Sequence, residues 1–294
     1  MKQHQLSGAI AIAALVCCVH SKTFAQTDWH ITGNSGTNAT NNFVGTTDNV
    51  PLAFRTNNAV RMRINGNGNI GIGITSPLQK LDVNGNINLR KGFALYAENH
   101  PVLRVDSANG NTFLGNGTAP NVSGGDITAV GYQALFSNTS GSWNTALGFQ
   151  SLYANSTGFD NVAVGYIALN NNTSANGNTA IGNYALLLNN GNYNTATGTG
   201  ALFSNISGTS NVANGRFALY DNSTGSYNTA LGAEALNNNT ASYNTATGYR
   251  VLYANTTGYD NSAHGWEALY YNTTGIYNTA QGLAALYSNT TGQL

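Results

Sequence analysis

Residues 144–160 read NTALGFQSLYANSTGFD, and residues 161–177 follow with NVAVGYIALNNNTSANG. The second stretch restates the first at its first, third, fifth, ninth and twelfth positions. Carried along the chain, the pattern divides residues 127–294 into ten units starting at 127, 144, 161, 178, 194, 211, 228, 244, 261 and 278. Eight units have 17 residues and two have 16, the missing residue falling in a loop. The consensus is N-T-A-x-G-x-x-A-L-x-x-N-T-T-G-x-x. The third position is Ala in every unit (Ala146, Ala230), the fifth Gly (Gly148, Gly232), the ninth Leu (Leu152, Leu236) and the twelfth Asn (Asn155, Asn239).

Such a period is too short for a helix-turn-helix repeat of about 34 residues. N-T-T-G would also break a helix. It suits one coil of an all-β, parallel β-solenoid. A short strand (T-A-x) bends at Gly, a second strand (x-A-L-x) follows, and N-T-T-G turns the chain into the next coil. Stacking equal coils sets Asn over Asn, and such amide ladders hydrogen-bond along the stack. At a strand spacing of ~4.8 Å, ten coils make a rod of about 48 Å. Neighbouring residues of a strand point to opposite faces. Leu at position nine therefore fills the interior, and Ala at position eight (Ser151 and Val251 excepted) faces outward. An outward Ala row lets another chain approach closely, so packing of copies along it is expected.

The S/N-T-A-x-G-x-x-A rhythm resembles the head repeats of trimeric autotransporter adhesins, the YadA-like head. The resemblance covers residues 127–294 and rests on the Ala and Gly of each unit, as at Ala146 with Gly148 and Ala230 with Gly232. It implies a left-handed β-roll, three such chains side by side, and a place at the cell surface or outer membrane. The family's usual repeat is shorter than these coils, and no coiled-coil stalk or membrane β-barrel segment is found up to Leu294.

Upstream, residues 1–25 read as a secretory leader: Lys2 and His4, an apolar run from Leu6 to Val19, and small residues at Thr23 and Ala25. The run is too short to span a membrane. Both cysteines, Cys17 and Cys18, lie in the leader, so the exported chain has neither disulfide nor thiolate metal site. Without Lys2 and Lys22 it carries 9 basic against 11 acidic residues. Lacking a basic stripe, it is unsuited to nucleic acid. Residues 26–125 hold short alternating strands at VRMRI (60–64), NIGIGI (69–74) and KLDVNGNI (80–87). This part, at about 27–90, resembles the N-terminal modules of Bacteroidetes tail-fibre-like secreted proteins, some of which end in a chaperone domain of the peptidase S74 type. Residues 123–126, around Gly124-Gly125, are expected to hinge it to the repeats at 126–294.

Candidate sites are few. Residues 66–71 match G-x-G-x-x-G, but Pro77 follows within a Gly-Ile alternation where a dinucleotide site needs a helix. His30, His100 and His264 lack metal-ligand spacing. The carboxylates of the repeats are Asp160, Asp221, Glu234, Asp260 and Glu267; Asp160 and Asp260 lie six coils apart, and Glu234 and Glu267 read as solvated charges. The sequence therefore offers no expected catalytic, cofactor-binding or metal-ligating residue. Thr occupies position two in seven coils, interrupted by Val162, Val212 and Ser262. Position ten carries the possible contact face: Phe136, Tyr153, Phe203, Tyr220, Tyr253, Tyr270 and Tyr287, with Trp143, Tyr193, Tyr227, Tyr243 and Tyr277 at loop ends. Aromatic rows of this kind suit sugar or protein contact. The resulting expectation is a non-catalytic, exported surface fibre or adhesin that attaches to cells, glycans or surfaces. The alternatives are a structural tail-fibre-like component of a larger assembly completed by an S74-type C-terminal region and, third, an ice-binding solenoid built on the Thr column.

Overall fold

The computed structural model describes residues 37–38, 40, 43–88, 94–98 and 100–293. The leader, both cysteines and His30 lie outside the described residues. Every regular element described is a strand, and the chain divides into two compact units at residues 88/89.

In the first unit, β1 (Leu52–Thr56) and β2 (Ala59–Ile64) form an antiparallel hairpin. Its two-residue turn, Asn57-Asn58, has φ of 48° and 56°, the left-handed conformation that tight hairpins need and Asn tolerates. β3 (Ile70–Ile72) pairs antiparallel with β2, and β4 (Leu81–Val83) pairs parallel with β3. The G-x-G-x-x-G stretch joins β2 to β3. Asn65 Oδ1 accepts the N–H groups of Asn67 and Asn69 there, and the loop opens a strand, so it lacks the helix N-terminus that would hold a pyrophosphate.

The second unit is one thirteen-stranded sheet. β5 (Ala94–Ala97) and β6 (His100–Asp106) are antiparallel, β6 and β7 (Asn111–Leu114) likewise, and from β7 onward every pairing is parallel. Ten strands follow, β8 (Thr128–Val130) to β17 (Thr279–Gln281), one per repeat at positions two to four. Ala pairs with Ala at each step, as Ala146 with Ala163 and Ala213 with Ala230. The parallel stack thus begins at Asn111, one coil before the ten-unit pattern. Asn111 plays the position-one role, its Oδ1 accepting the Ile127 N–H at 2.9 Å. Residues 123–126 lie inside this extra coil and are pinned: Ser123 N–H donates to the Thr139 carbonyl and Asp126 N–H to that of Asn109. They form no hinge.

Position eight differs from the expectation. Its segment is not a second strand. φ is positive at position seven in every coil, from 50° at Gln150 to 65° at Gly200, and at the position-nine Leu in every coil, from 50° at Leu152 to 54° at Leu252. Left-handed residues on either side of position eight curl the segment inward, so the alternation rule for extended chain does not apply. The Ala row is therefore inside: Ala134, Ala168, Ala185, Ala201, Ala218, Ala235 and Ala268 are fully buried within a single chain, beside the buried Leu row. It leaves no surface for packing copies together. A bulky L-residue in the left-handed region costs roughly 1–2 kcal/mol. Burying the Leu side chain, worth about 1.5–3 kcal/mol, offsets that. Coil-to-coil bonds add to it, as when Leu152 N–H donates to the Ala168 carbonyl at 3.0 Å.

Gly at position five is fixed by the stack. Gly148 has φ of 139°, and a Cβ there would lie 2.3 Å from the Gly165 carbonyl oxygen of the next coil. The interior is completed by two buried amide ladders. At position twelve, Asn155 Nδ2 donates to Asn138 Oδ1 at 2.8 Å and to the Gly158 carbonyl at 3.1 Å, and Asn239 Nδ2 donates to Asn222 Oδ1 at 3.3 Å. At position one, Asn161 donates both its N–H (3.0 Å) and its Nδ2 (3.2 Å) to Asn144 Oδ1. The shortened coil four shifts the pattern: Asn189 Nδ2 turns to the Gly191 carbonyl, and the buried Asn172 Oδ1 is left without a partner.

Candidate functional site

With positions one, three, five, eight, nine, twelve and fifteen consumed by the interior, chemistry is confined to the side chains that point out. The contact-face residues at position ten are all half-buried. They stack on one another along the rod. Phe136 lies over Tyr153 with centroids 5.3 Å apart and planes 4° apart, Phe203 over Tyr220 at 4.9 Å, and Tyr253 over Tyr270 and Tyr270 over Tyr287 at 5.2 and 5.3 Å. A second row at position six was not anticipated: Tyr132, Phe149 and Tyr166 stack at 5.4 and 5.3 Å, and Tyr249 lies 6.2 Å from Trp266. Tyr184, at position seven, joins the two rows by contacting both Tyr166 and Phe203. The loop-end residues Trp143, Tyr193, Tyr227, Tyr243 and Tyr277 are the most open, each more than half exposed.

Stacking decides what these rows can do. A ring whose two faces are covered by its neighbours offers only its edge outward. Free faces occur where a row is interrupted, and the position-ten row is interrupted at Asn170 and Leu187 and again at Asn237.

The second break coincides with the charged cluster of the rod. Among residues 127–294 there are two Lys or Arg side chains, Arg216 and Arg250. Both pair with Glu234: Arg216 Nη2 donates to Oε1 at 3.0 Å, and Arg250 Nε to Oε2 at 2.7 Å. The Glu234 side chain is 11% exposed, so it is not a solvated charge as its sequence context suggested. The hydrogen bond from Arg250 holds its carboxyl below the ordinary carboxylate range. Burial opposes that shift, and the Arg216 hydrogen bond reinforces it. Arg216 lies over the Phe217 ring at 4.7 Å, and Arg250 over the Tyr249 ring at 4.9 Å. With Phe217, Tyr220, Asn237 and Tyr253, the Glu234 and Arg250 side chains line an open depression of about 370 Å³, while Arg216 pairs with Glu234 from outside that lining.

The other candidates stay apart. Asp160 and Asp260 are exposed at position seventeen, Glu267 is half-buried at position seven, and His264 points out of its strand at position four. Among the described residues no group of three or more His, Cys, Asp or Glu could hold a metal ion, and no helix is long and apolar enough to cross a membrane. On the strand face, Thr-x-Thr occurs only at Thr195–Thr197 and Thr245–Thr247. Position four carries exposed Leu147 and Ile181 elsewhere, so that face is not a flat Thr array. Comparison with protein-family models, with curated proteins and with solved structures returned no match.

Proposed function

We propose that the chain is a non-catalytic, exported surface fibre whose rod attaches to cells, glycans or surfaces through its aromatic rows. The observation that supports this most is the division of labour in each coil. The invariant positions are spent on the interior, while rings recur outward at positions six, ten and seventeen over the length of the stack. Rings held by one another lose little freedom on contact, which favours many weak contacts over one deep pocket. The resemblance to trimeric adhesin heads supports the same reading and carries the homotrimer with it. The position-eight Ala row gives the trimer no support, being interior. Were copies to associate, the outward apolar side chains at position four of coils two, four and seven, Leu147, Ile181 and Leu231, are available to meet.

The test is binding of the chain from residue 26 onward to cell surfaces and immobilised glycans, with its size followed by light scattering. The expected result is weak binding that strengthens when the chain is presented in several copies. Absence of binding in any multivalent presentation would sink the attachment reading and favour a purely structural part of a larger assembly.

A further inference from the structure

The break in the position-ten row at coil seven supplies a specific ligand site. Tyr220 and Tyr253 stand two strand intervals apart, about 9.6 Å along the rod, where an unbroken row would hold a third ring between them. Asn237 takes that place. Its Nδ2 donates to the Phe217 carbonyl at 3.0 Å, so the amide is folded back against the coil, and one layer of the stack is missing. Phe217 supports Tyr220 edge-on at 5.3 Å and 79°. On the other side Arg250 leans over Tyr253 at 5.6 Å. The floor and rim carry one carboxylate, one carboxamide and one guanidinium group, that of Arg250, in a rod whose other Lys or Arg is Arg216.

We propose that this slot binds a pyranose unit of a glycan, one sugar ring replacing the missing aromatic layer. A pyranose has C–H faces that suit the electron-rich face of Tyr220, with the Arg250 guanidinium over Tyr253 on its other side. Its hydroxyls each donate and accept, matching Glu234, Asn237 and the N–H groups that Arg250 does not spend on Glu234. Arg250 meets Glu234 through Nε, and with 34% of its side chain exposed its Nη groups can supply them. An aromatic guest would fill the same layer but leave these polar groups unmatched, which is costly where water is displaced. The inference deepens the attachment reading and rests on it for the choice of a glycan as ligand. A site of this kind would give the fibre one selective contact among many unselective ones.

The experiment is titration of the full exported chain with D-glucose, D-galactose, N-acetyl-D-glucosamine and D-glucuronate, following the Tyr220 and Tyr253 ring signals by NMR. At least one sugar should shift both rings saturably in the millimolar range. Asn237→Tyr should weaken that binding at least tenfold. It installs the residue class that position ten carries in seven coils, so it keeps the fold while filling the slot. Asn170→Tyr, at the same position in coil three, should leave binding unchanged. Arg250→Gln, which removes the guanidinium that lines the slot, should weaken it severalfold. The proposal is overturned if no sugar shifts either ring, if the shifts survive Asn237→Tyr, or if p-cresol binds more tightly than every sugar. Adhesion of the wild-type chain with no sugar response would remove the slot and keep the attachment reading. A sugar response without adhesion would do the reverse.

Discussion

The amide ladder at position twelve can be challenged at one rung. Asn205 is fully buried. Its Nδ2 donates to Asn189 Oδ1 at 2.6 Å and to the Gly208 carbonyl at 2.9 Å, and its Oδ1 accepts from Asn222 Nδ2 at 3.1 Å. Asn205→Ala deletes all three bonds. The partners are not wholly orphaned, because Asn194 Nδ2 still reaches Asn189 Oδ1 (3.2 Å) and Gly208 O (2.8 Å), and Asn222 Nδ2 keeps the Gly225 carbonyl (2.9 Å). Three net bonds at about 1 kcal/mol each put the loss near 3 kcal/mol. Asn205→Asp preserves shape but places a carboxylate against two oxygen acceptors, costing about 5 kcal/mol while ionised. Folding then raises the pKa of that Asp, so the penalty accumulates as pH rises above the unfolded value of about 3.9 and disappears below it. Coils interact only with their neighbours, so amide hydrogen exchange read coil by coil is the suitable assay. Coils four to six should exchange about a hundredfold faster in Asn205→Ala at neutral pH. In Asn205→Asp they should recover protection toward pH 4. Unchanged exchange in the Ala variant, or an Asp variant that is worse in acid, would refute the claim that the ladder stabilises the rod.

Two further substitutions probe other parts of the same argument. Gly198 has φ of 126°, and a Cβ would lie 2.7 Å from the Gly215 carbonyl; Gly198→Ala should cost on the order of 3 kcal/mol, visible as a lowered thermal midpoint, and a neutral result would show that the stack yields there. Glu234 has its folded pKa depressed by Arg250 and Arg216, so its ion pairs stabilise fully above the ordinary carboxylate pKa of about 4.3 and fade as pH falls below it. Glu234→Gln should therefore flatten the acid limb of the wild-type stability curve; identical acid limbs would show that the cluster contributes nothing to folding.

The solenoid was legible because its period is written in invariant residues with separate physical reasons: Gly where a Cβ has no room, Asn where amides must stack, Leu where the interior must be filled. The direction of the Ala row was misread because inside/outside alternation presumes extended backbone, and the backbone conformation is not written in residue type so plainly. Signals were present. Position nine is Leu in all ten coils and never Val or Ile, which suits a left-handed site that β-branched residues fit poorly, and Gly200 at position seven points the same way. The second signal is weaker, because Ile167 occupies position seven with φ of 57°. The extra coil at residues 111–126 was hidden by an exchange of sizes: Phe113 stands where other coils have Ala, and Ala119 where they have Leu, both buried. A pattern requiring Ala third and Leu ninth cannot find it. Glu234 and Arg250 share position seven of adjacent coils, so that pair is readable from the repeat register, whereas Arg216 stands at position six and the burial of Glu234 between the two is not written in residue type.

That same coil explains why selectivity would reside in one place. A parallel stack repeats its surface every ~4.8 Å, so whatever one coil offers, the next tends to offer too, and uniform rows give contact without discrimination. Discrimination needs a coil that departs from its neighbours while remaining in register with them. Coil seven does so twice. It substitutes Asn237 for a ring, which removes one layer between Tyr220 and Tyr253, and it places Glu234 where a guanidinium from each neighbouring coil can reach it. Neither change touches the interior positions, since Ala235, Leu236 and Asn239 stay buried as in the other coils. The interior thus tolerates a local rewriting of the outer face at little cost in stability. A coil built this way can carry recognition while the remaining coils serve as its stack.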